Sequence, residues 1–209
     1  MSAGFYTVKT EYENTIVIEH SKFICFVKGI ENEKEARSFI DEIRKKHSLA
    51  NHNCYAYIAD DKGLIQKFSD DGEPQGTAGL PMLEVLKNKR IYKTVAVVTR
   101  YFGGIKLGTG GLTRAYSGSV SECLAKAQIL NMQKAVIFST QLDYEAYSRF
   151  IKLQNDENVS VIETAFENMV SVKIAVKIDY KTVFEKKCSD TFNGKIILDQ
   201  LDEDFYAFG

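Results

Sequence analysis

The chain has 209 residues, of which 44% are hydrophobic and 26% are charged, and its formal net charge is −1. This composition is that of an ordinary globular protein with enough chain for one large or two small domains. No apolar run approaches the ~20 residues of a membrane helix, and the first residues lack a signal peptide's apolar block, so no membrane partner is expected. The four cysteines are far apart, which predicts reduced thiols in a cytosolic protein and neither a disulfide framework nor a metal site.

The near-zero net charge hides an uneven distribution. Residues 1–134 carry 19 basic against 15 acidic side chains, whereas residues 135–209 carry 8 against 13. Between Leu86 and Ser121 no residue is acidic, and this basic block predicts a polyanionic partner. For its first three members, the end of a solvated helix is an equally good explanation. The seven basic residues of the block are Lys87, Lys89, Arg90, Lys93, Arg100, Lys106 and Arg114.

Hydrophobic periodicity predicts alternating strands and helices in the first two thirds of the chain. Asn32 with Glu35 resembles a capping box, and Pro81 suits the first turn of a helix. The apolar run at 93–99 predicts a central strand that is covered on both faces. The predicted elements are strands at 15–19 and 22–30, a helix from 33 to about 46, strands at 52–59 and 64–68, a helix from 81 toward 90, a strand at 93–99 and a long helix whose stripe opens at 112.

The composition changes near Asn131, and the next segment has the order β-α-β-β-α-β. Asp143 is placed to cap the first helix of this segment. The order is that of a ferredoxin-like fold. We therefore predict an α+β protein of two domains, residues 1–131 and 132–209. The predicted elements of the second domain are strands at 135–142, 158–165, 170–178 and 195–199, with helices after 143 and at 181–191.

Nine of the fourteen glycines lie between Gly72 and Gly118. One group forms a glycine loop, residues 103–111, between a strand and a helix, where backbone N–H groups and the helix dipole favour an anion. Close packing of a helix on a strand also selects glycine, so this alternative stays open. The loop is neither a Walker A sequence nor a GxGxxG fingerprint. The predicted anion- or nucleic-acid-binding residues are Arg100, Lys106, Gly108, Thr109, Gly110, Gly111 and Arg114.

A second loop, the acidic loop of residues 69–80, carries three carboxylates. Asp70 and Glu73, together with His52, are the candidate catalytic residues for acid–base chemistry or for holding a cation. Loop carboxylates that accept backbone hydrogen bonds or pair with an arginine would explain the same pattern. A nucleophilic pair of His52 and Cys54 is a further alternative, disfavoured because side chains at i and i+2 of a strand stand far apart.

Four aromatic residues lie at strand ends near these loops and could stack on nucleic-acid bases or belong to the core. They are Tyr55, Tyr57, Tyr101 and Phe102.

Three ordered motifs resemble the IMPACT/YigZ family. They are HNCYA at 52–56, SDDGEPQGTAGLPML at 69–83 and VTRYFGGIKLGTGGLTRAY at 98–116, with SKFI at 21–24 fitting the family's first strand. The resemblance covers the whole chain in the bacterial two-domain layout. It implies an N-terminal βαβ fold like that of a ribosomal-protein domain and of domain IV of elongation factor G, followed by a ferredoxin-like domain. It also implies a link to translation, because eukaryotic relatives restrain a starvation-responsive kinase through an additional domain.

The sequence leads to three hypotheses of different classes. The first is a cytosolic translation-associated regulator that binds RNA or the ribosome through the glycine loop, without a cofactor. The second is an enzyme that acts on a phosphorylated or peptide-like small molecule between the two loops. The third is a protein-interaction module whose partner is a translation regulator.

Overall fold

The computed structural model of the chain describes residues 4–208. Two compact units emerge, one spanning Phe5–Leu130 and the other beginning at Asn131. The described range contains two five-stranded sheets and five α-helices. This mixture confirms the predicted α+β class. No helix in the same range is both long and apolar enough to cross a membrane.

The N-terminal unit contains β1 (Phe5–Val8), β2 (Tyr12–Ile18), β3 (Ser21–Gly29), α1 (Glu33–Lys46), β4 (His52–Ile58), β5 (Gln66–Ser69), α2 (Gly79–Asn88), β6 (Thr94–Tyr101) and α3 (Gly108–Lys126). Strands β2 to β6 form an antiparallel sheet in the order β2-β3-β6-β4-β5. The central strand β6, predicted at 93–99, lies between β3 and β4, and all of its residues except Tyr101 are buried.

Helices cover both faces of this sheet, and strand alternation decides which residues meet which helix. On β3, Phe23 and Cys25 join the core shared with α2 and α3, whereas Ile24 and Phe26 join the core under α1. At the start of α1, the Asn32 side chain accepts a hydrogen bond from the backbone N–H of Glu35, as predicted. Helices cover both faces of β6, which explains its continuous apolar run. Such runs are typical of parallel strands, but the neighbours of β6 are antiparallel.

The acidic loop is held in place by its own carboxylates. Asp70 accepts hydrogen bonds from the backbone N–H groups of Gly76 at 2.8 Å, Ala78 at 3.0 Å and Gly79 at 2.8 Å. Because the cap position of α2 is an alanine, Asp70 supplies from a distance the acceptor that the helix start lacks.

The neighbouring carboxylate, Asp71, fastens the loop to the sheet and to α1. It accepts from the backbone N–H of Asn53 at 2.6 Å and from Arg44 at 2.7 Å. Asp70 and Asp71 therefore make the contacts expected of carboxylates that hold the loop: they accept backbone hydrogen bonds and pair with an arginine.

The second unit contains β7 (Ile129–Leu142), α4 (Tyr144–Gln154), β8 (Val159–Phe166), β9 (Val170–Lys177), α5 (Lys181–Phe192) and β10 (Asp199–Ala207). Its strands are antiparallel in the order β10-β7-β9-β8, which is the ferredoxin-like arrangement. Asp143 caps α4 by accepting from the backbone N–H of Ala146 at 2.7 Å. Phe138, Phe150 and Phe184 are buried together between the sheet and the two helices.

The last strand lies later than predicted. The sequence prediction placed it at 195–199, but β10 occupies Asp199–Ala207. The prediction was wrong because Ile196 and Leu198 are apolar like strand residues. They pack against the unit's core, but their segment has no regular structure. The true strand is acidic and mostly exposed, and it pairs with β7, where Lys134 and Glu203 form a 2.8 Å ion pair.

Replacing Asp70 by alanine is expected to destabilise the protein by about 3 kcal/mol, because three backbone N–H groups lose their acceptor. Asp70→Asn, which keeps one acceptor oxygen, should lose less. Urea unfolding monitored by circular dichroism measures both. An Asp70→Ala protein within about 0.5 kcal/mol of wild type, the range of ordinary surface substitutions, would contradict this role.

Asp156 is expected to make stability depend on acidic pH. Partial burial alone would raise the pKa of its carboxyl, but hydrogen bonds from Tyr180, Asn158 and Lys187 together hold that pKa well below its usual range. A depressed pKa stabilises the folded state above the unfolded pKa of about 3.9, and this contribution is lost as the pH falls further.

The measurable consequence is a pH-dependent difference between wild type and Asp156→Asn. The difference in unfolding free energy should be roughly 2 kcal/mol at pH 7 and should shrink steadily below about pH 4. Urea unfolding at pH 7 and pH 3 gives both values. An equal difference at the two pH values would show that the charge of Asp156 is not what stabilises this unit.

Candidate anion-binding site

A buried ion pair joins the acidic loop to the end of β6. The carboxylate of Glu73, only 3% of whose side chain is exposed, accepts from Nη1 of Arg100 at 2.7 Å. The same oxygen accepts from the hydroxyl of Tyr116 on α3 at 2.7 Å. One carboxylate therefore links a loop, a strand and a helix.

Arg100 is 5% exposed and is held from several sides. Nη2 donates to Ser21 Oγ at 3.3 Å, and the guanidinium lies 5.3 Å from the ring centre of Phe23 and 5.4 Å from that of Phe102. Its Nε is buried and has no hydrogen-bond partner among the described residues. Arg100 was predicted to be a counter-charge for an anion, and the alternative was that it pairs with a loop carboxylate. It pairs with Glu73, and its contact with an anion stays a prediction.

His52 lies beside the acidic loop but is fixed by it. Its Nδ1 is 2.8 Å from the carbonyl oxygen of Asp71, and its Nε2 is 3.9 Å from Glu73. A carbonyl only accepts, so Nδ1 carries the proton and Nε2 faces the carboxylate. The three candidate catalytic residues are therefore neighbours, yet each is engaged in holding the loop.

The thiol and the phenol near Glu73 remain protonated. Cys54 donates its S–H to the carbonyl of Asp70 at 2.9 Å, and burial raises the pKa of this thiol. Burial, followed by the neighbouring Cys54 and Glu73, raises the pKa of the Tyr116 hydroxyl as well. A neutral thiol bonded to a carbonyl is not an activated nucleophile, so the alternative of a His52–Cys54 pair is wrong.

The glycine loop leads into a helix start without an acceptor of its own. Helix α3 begins at Gly108, its cap residue Leu107 makes no side-chain hydrogen bond, and its first turn has no acidic residue. Gly108 has a φ of +67°, a conformation that favours glycine. Thr109 and Gly110 are exposed, so this first turn, with its unpaired N–H groups and the positive end of the helix dipole, lies at the surface.

Two exposed basic side chains flank this helix start. Among the described residues, no carboxylate lies within ion-pair distance of Lys106 or Arg114, in contrast to Arg100. The Arg114 side chain passes near Gly110, where a Cβ would lie 3.6 Å from its Nη1. The predicted residues from Lys106 to Arg114 are thus brought together around the first turn of α3.

A pocket of about 390 Å³, the α3 pocket, connects the helix start with the buried ion pair. Its walls are mostly apolar, and Phe102 is the one aromatic residue among those that line it. The residues that line the α3 pocket are Glu73, Pro74, Arg100, Phe102, Lys106, Leu107, Gly108, Thr109 and Leu112. No group of three His, Cys, Asp or Glu side chains within residues 4–208 could hold a metal ion.

Sequence reasoning missed the role of Tyr116, which it assigned only to the buried stripe of α3. A hydroxyl in a buried stripe needs a hydrogen-bond partner, and this requirement is the signal that was available. Of the four aromatic residues considered for base stacking, only Phe102 lines the α3 pocket. Tyr57 is buried and bonded to Glu33, and Tyr101 is bonded to His47.

Comparison with known proteins agrees with these motifs. Residues 19–124 match the Impact N-terminal domain. The chain is 43% identical over 195 residues to the IMPACT family member YvyE of Bacillus subtilis, covering 93% of this chain and 90% of the relative. It is 32% identical over 189 residues to the IMPACT family member YigZ of Escherichia coli, covering 89% and 92%.

A solved structure is similar over the same extent. The crystal structure of a hypothetical protein superposes with a TM-score of 0.61 at 29% identity, covering 97% of this chain and 99% of that chain. The similarity therefore includes the Impact N-terminal domain and continues through the second unit. This chain belongs to the IMPACT family.

Proposed function

We propose that this protein is a translation-associated regulator that binds RNA through the start of α3. The observation that carries the proposal is an exposed helix start with no capping side chain and no acidic residue in its first turn. It is flanked by Lys106 and Arg114, which have no ion-pair partner within the described part of the chain. RNA phosphate oxygens are the acceptors that such N–H groups and cations bind. The family resemblance supports the link to translation and the ribosome as the source of the RNA.

Ion pairs engage three of the seven basic residues of the block. Lys87 pairs with Glu84, Lys93 with Glu31, and Arg100 with Glu73. These paired charges attract a polyanion less than the sequence suggests, whereas Lys106 and Arg114 are exposed and have no ion-pair partner among the described residues. All four cysteines are free and buried, which supports a reducing, cytosolic setting for this binding.

The enzyme hypothesis has less support from the contacts of its candidate residues. Both carboxylate oxygens of Asp70 accept backbone hydrogen bonds, Glu73 is tied to Arg100 and Tyr116, and His52 is tied to a carbonyl. A general acid or base needs a free proton site facing the substrate, and in His52 only Nε2, 3.9 Å from Glu73, has no hydrogen bond to a described residue.

Replacing both Lys106 and Arg114 by alanine is expected to weaken RNA binding and to flatten its salt dependence. The slope of log affinity against log salt should fall by about one for each removed charge. Fluorescence anisotropy of a labelled RNA at several salt concentrations measures affinity and slope together.

Lys34→Ala/Lys45→Ala is the matched control, because it also removes two exposed basic side chains without an ion-pair partner among the described residues, from the helix α1 that covers the opposite face of the sheet. This control should keep the wild-type slope. If the Lys106→Ala/Arg114→Ala protein binds RNA with unchanged affinity and slope, the start of α3 is not the binding surface.

A further inference from the structure

We infer that the α3 pocket takes one unstacked nucleotide, with its phosphate at the first turn of α3 and its base against Phe102. The inference rests on the proposed RNA-binding function and adds the ligand unit that the site selects. It combines two neighbouring features, an anion-binding helix start and a mainly apolar cavity.

The apolar walls are the first reason for a nucleotide. A phosphate alone would need only the backbone N–H groups and Lys106, yet Pro74, Leu107 and Leu112 extend the site into a cavity of about 390 Å³. That volume lies within the roughly 300–1,000 Å³ of small-molecule sites. The ligand therefore has an apolar part next to its anionic part, and a base attached to a sugar phosphate has this composition.

Phe102 is the second reason. It is 45% exposed although it is a large apolar side chain, and it lies where β6 ends and the glycine loop begins. Its backbone N–H donates to Asn51 Oδ1 at 2.8 Å, which fixes the position of the ring's backbone. An exposed ring on a fixed backbone beside a phosphate site is the arrangement on which bases stack.

The unpaired Nε of Arg100 is the third reason. Arg100 lines the pocket and is 95% buried, and a buried donor without a partner among the described residues costs free energy unless a ligand satisfies it. Base edges carry carbonyl oxygens and ring nitrogens that accept such a bond, and because Nε is covered, a base reaches it only after the side chains around it shift. Glu73 and Ser21 hold the other guanidinium nitrogens, so the side chain is oriented before a ligand enters.

This arrangement selects single-stranded RNA. A base inside a duplex is stacked and paired, so it cannot enter a cavity beside the backbone, whereas an unpaired base is free to leave its neighbours. A free nucleoside monophosphate has the same chemistry as one nucleotide of a strand. The test therefore uses both as ligands.

The chain has no tryptophan, so a single substitution creates a specific fluorescent reporter. Phe102→Trp should show saturable quenching with single-stranded RNA and with free nucleoside monophosphate, and much less with duplex RNA of equal phosphate concentration. Phe68→Trp, which reports on an exposed aromatic position of β5, is the control and should keep its emission. Phe102→Ala should weaken single-strand binding on the order of tenfold by anisotropy.

The outcomes separate this inference from the function it rests on. Unchanged Phe102→Trp emission, together with RNA binding that still requires Lys106, would overturn the nucleotide pocket and leave the phosphate site standing. Equal binding of duplex and single strand would overturn it as well. Quenching by free nucleotide identifies the pocket as a complete nucleotide site, and quenching by RNA alone shows that neighbouring phosphates contribute. If the wild-type protein binds no RNA at all, both proposals are overturned.

Discussion

The buried ion pair between Glu73 and Arg100 is the interaction on which the candidate site depends. Its two charges lie out of water, and further hydrogen bonds support them: Tyr116 donates to Glu73, and Ser21 accepts from Arg100. Removing one partner of such a pair typically costs about 3–5 kcal/mol, because the other charge is left uncompensated. The pair fixes the acidic loop, the end of β6 and α3 relative to one another, and thereby gives the α3 pocket its shape.

A consequence of this pairing is that the proposed anion binding relies largely on backbone groups. The charge of Arg100 is balanced by Glu73, and what remains for an anion is the first turn of α3 with Lys106 and Arg114 beside it. Glycines at this turn leave the N–H groups exposed and keep side chains out of the way. The acidic loop serves the same site indirectly, since Asp70 and Asp71 hold the segment from which Glu73 reaches Arg100.

Local signals predicted much of the fold, because they depend on residues close in sequence. The caps at Asn32 and Asp143 and the buried run of β6 were all found where their patterns indicated. The position of the acidic strand β10 was not predicted, because it is set by pairing with β7 and because the apolar segment before it packs against the core without being a strand.

The site was predicted less completely than the fold. Glycine clustering indicated the helix start, but charge counting could not show which basic residues are neutralised. Arg100 and Glu73 are 27 positions apart, and Tyr116 lies 43 from Glu73, so only the tertiary structure brings them together.

Binding of an RNA phosphate at the first turn of α3 is measured most directly by amide chemical shifts. In a ¹H–¹⁵N NMR titration with a short single-stranded RNA, the amides of Thr109, Gly110 and Gly111 should shift most strongly. Amides of the second unit should serve as an internal reference with small changes. Saturable shifts confined to the second unit, with none at Thr109–Gly111, would contradict binding at this turn.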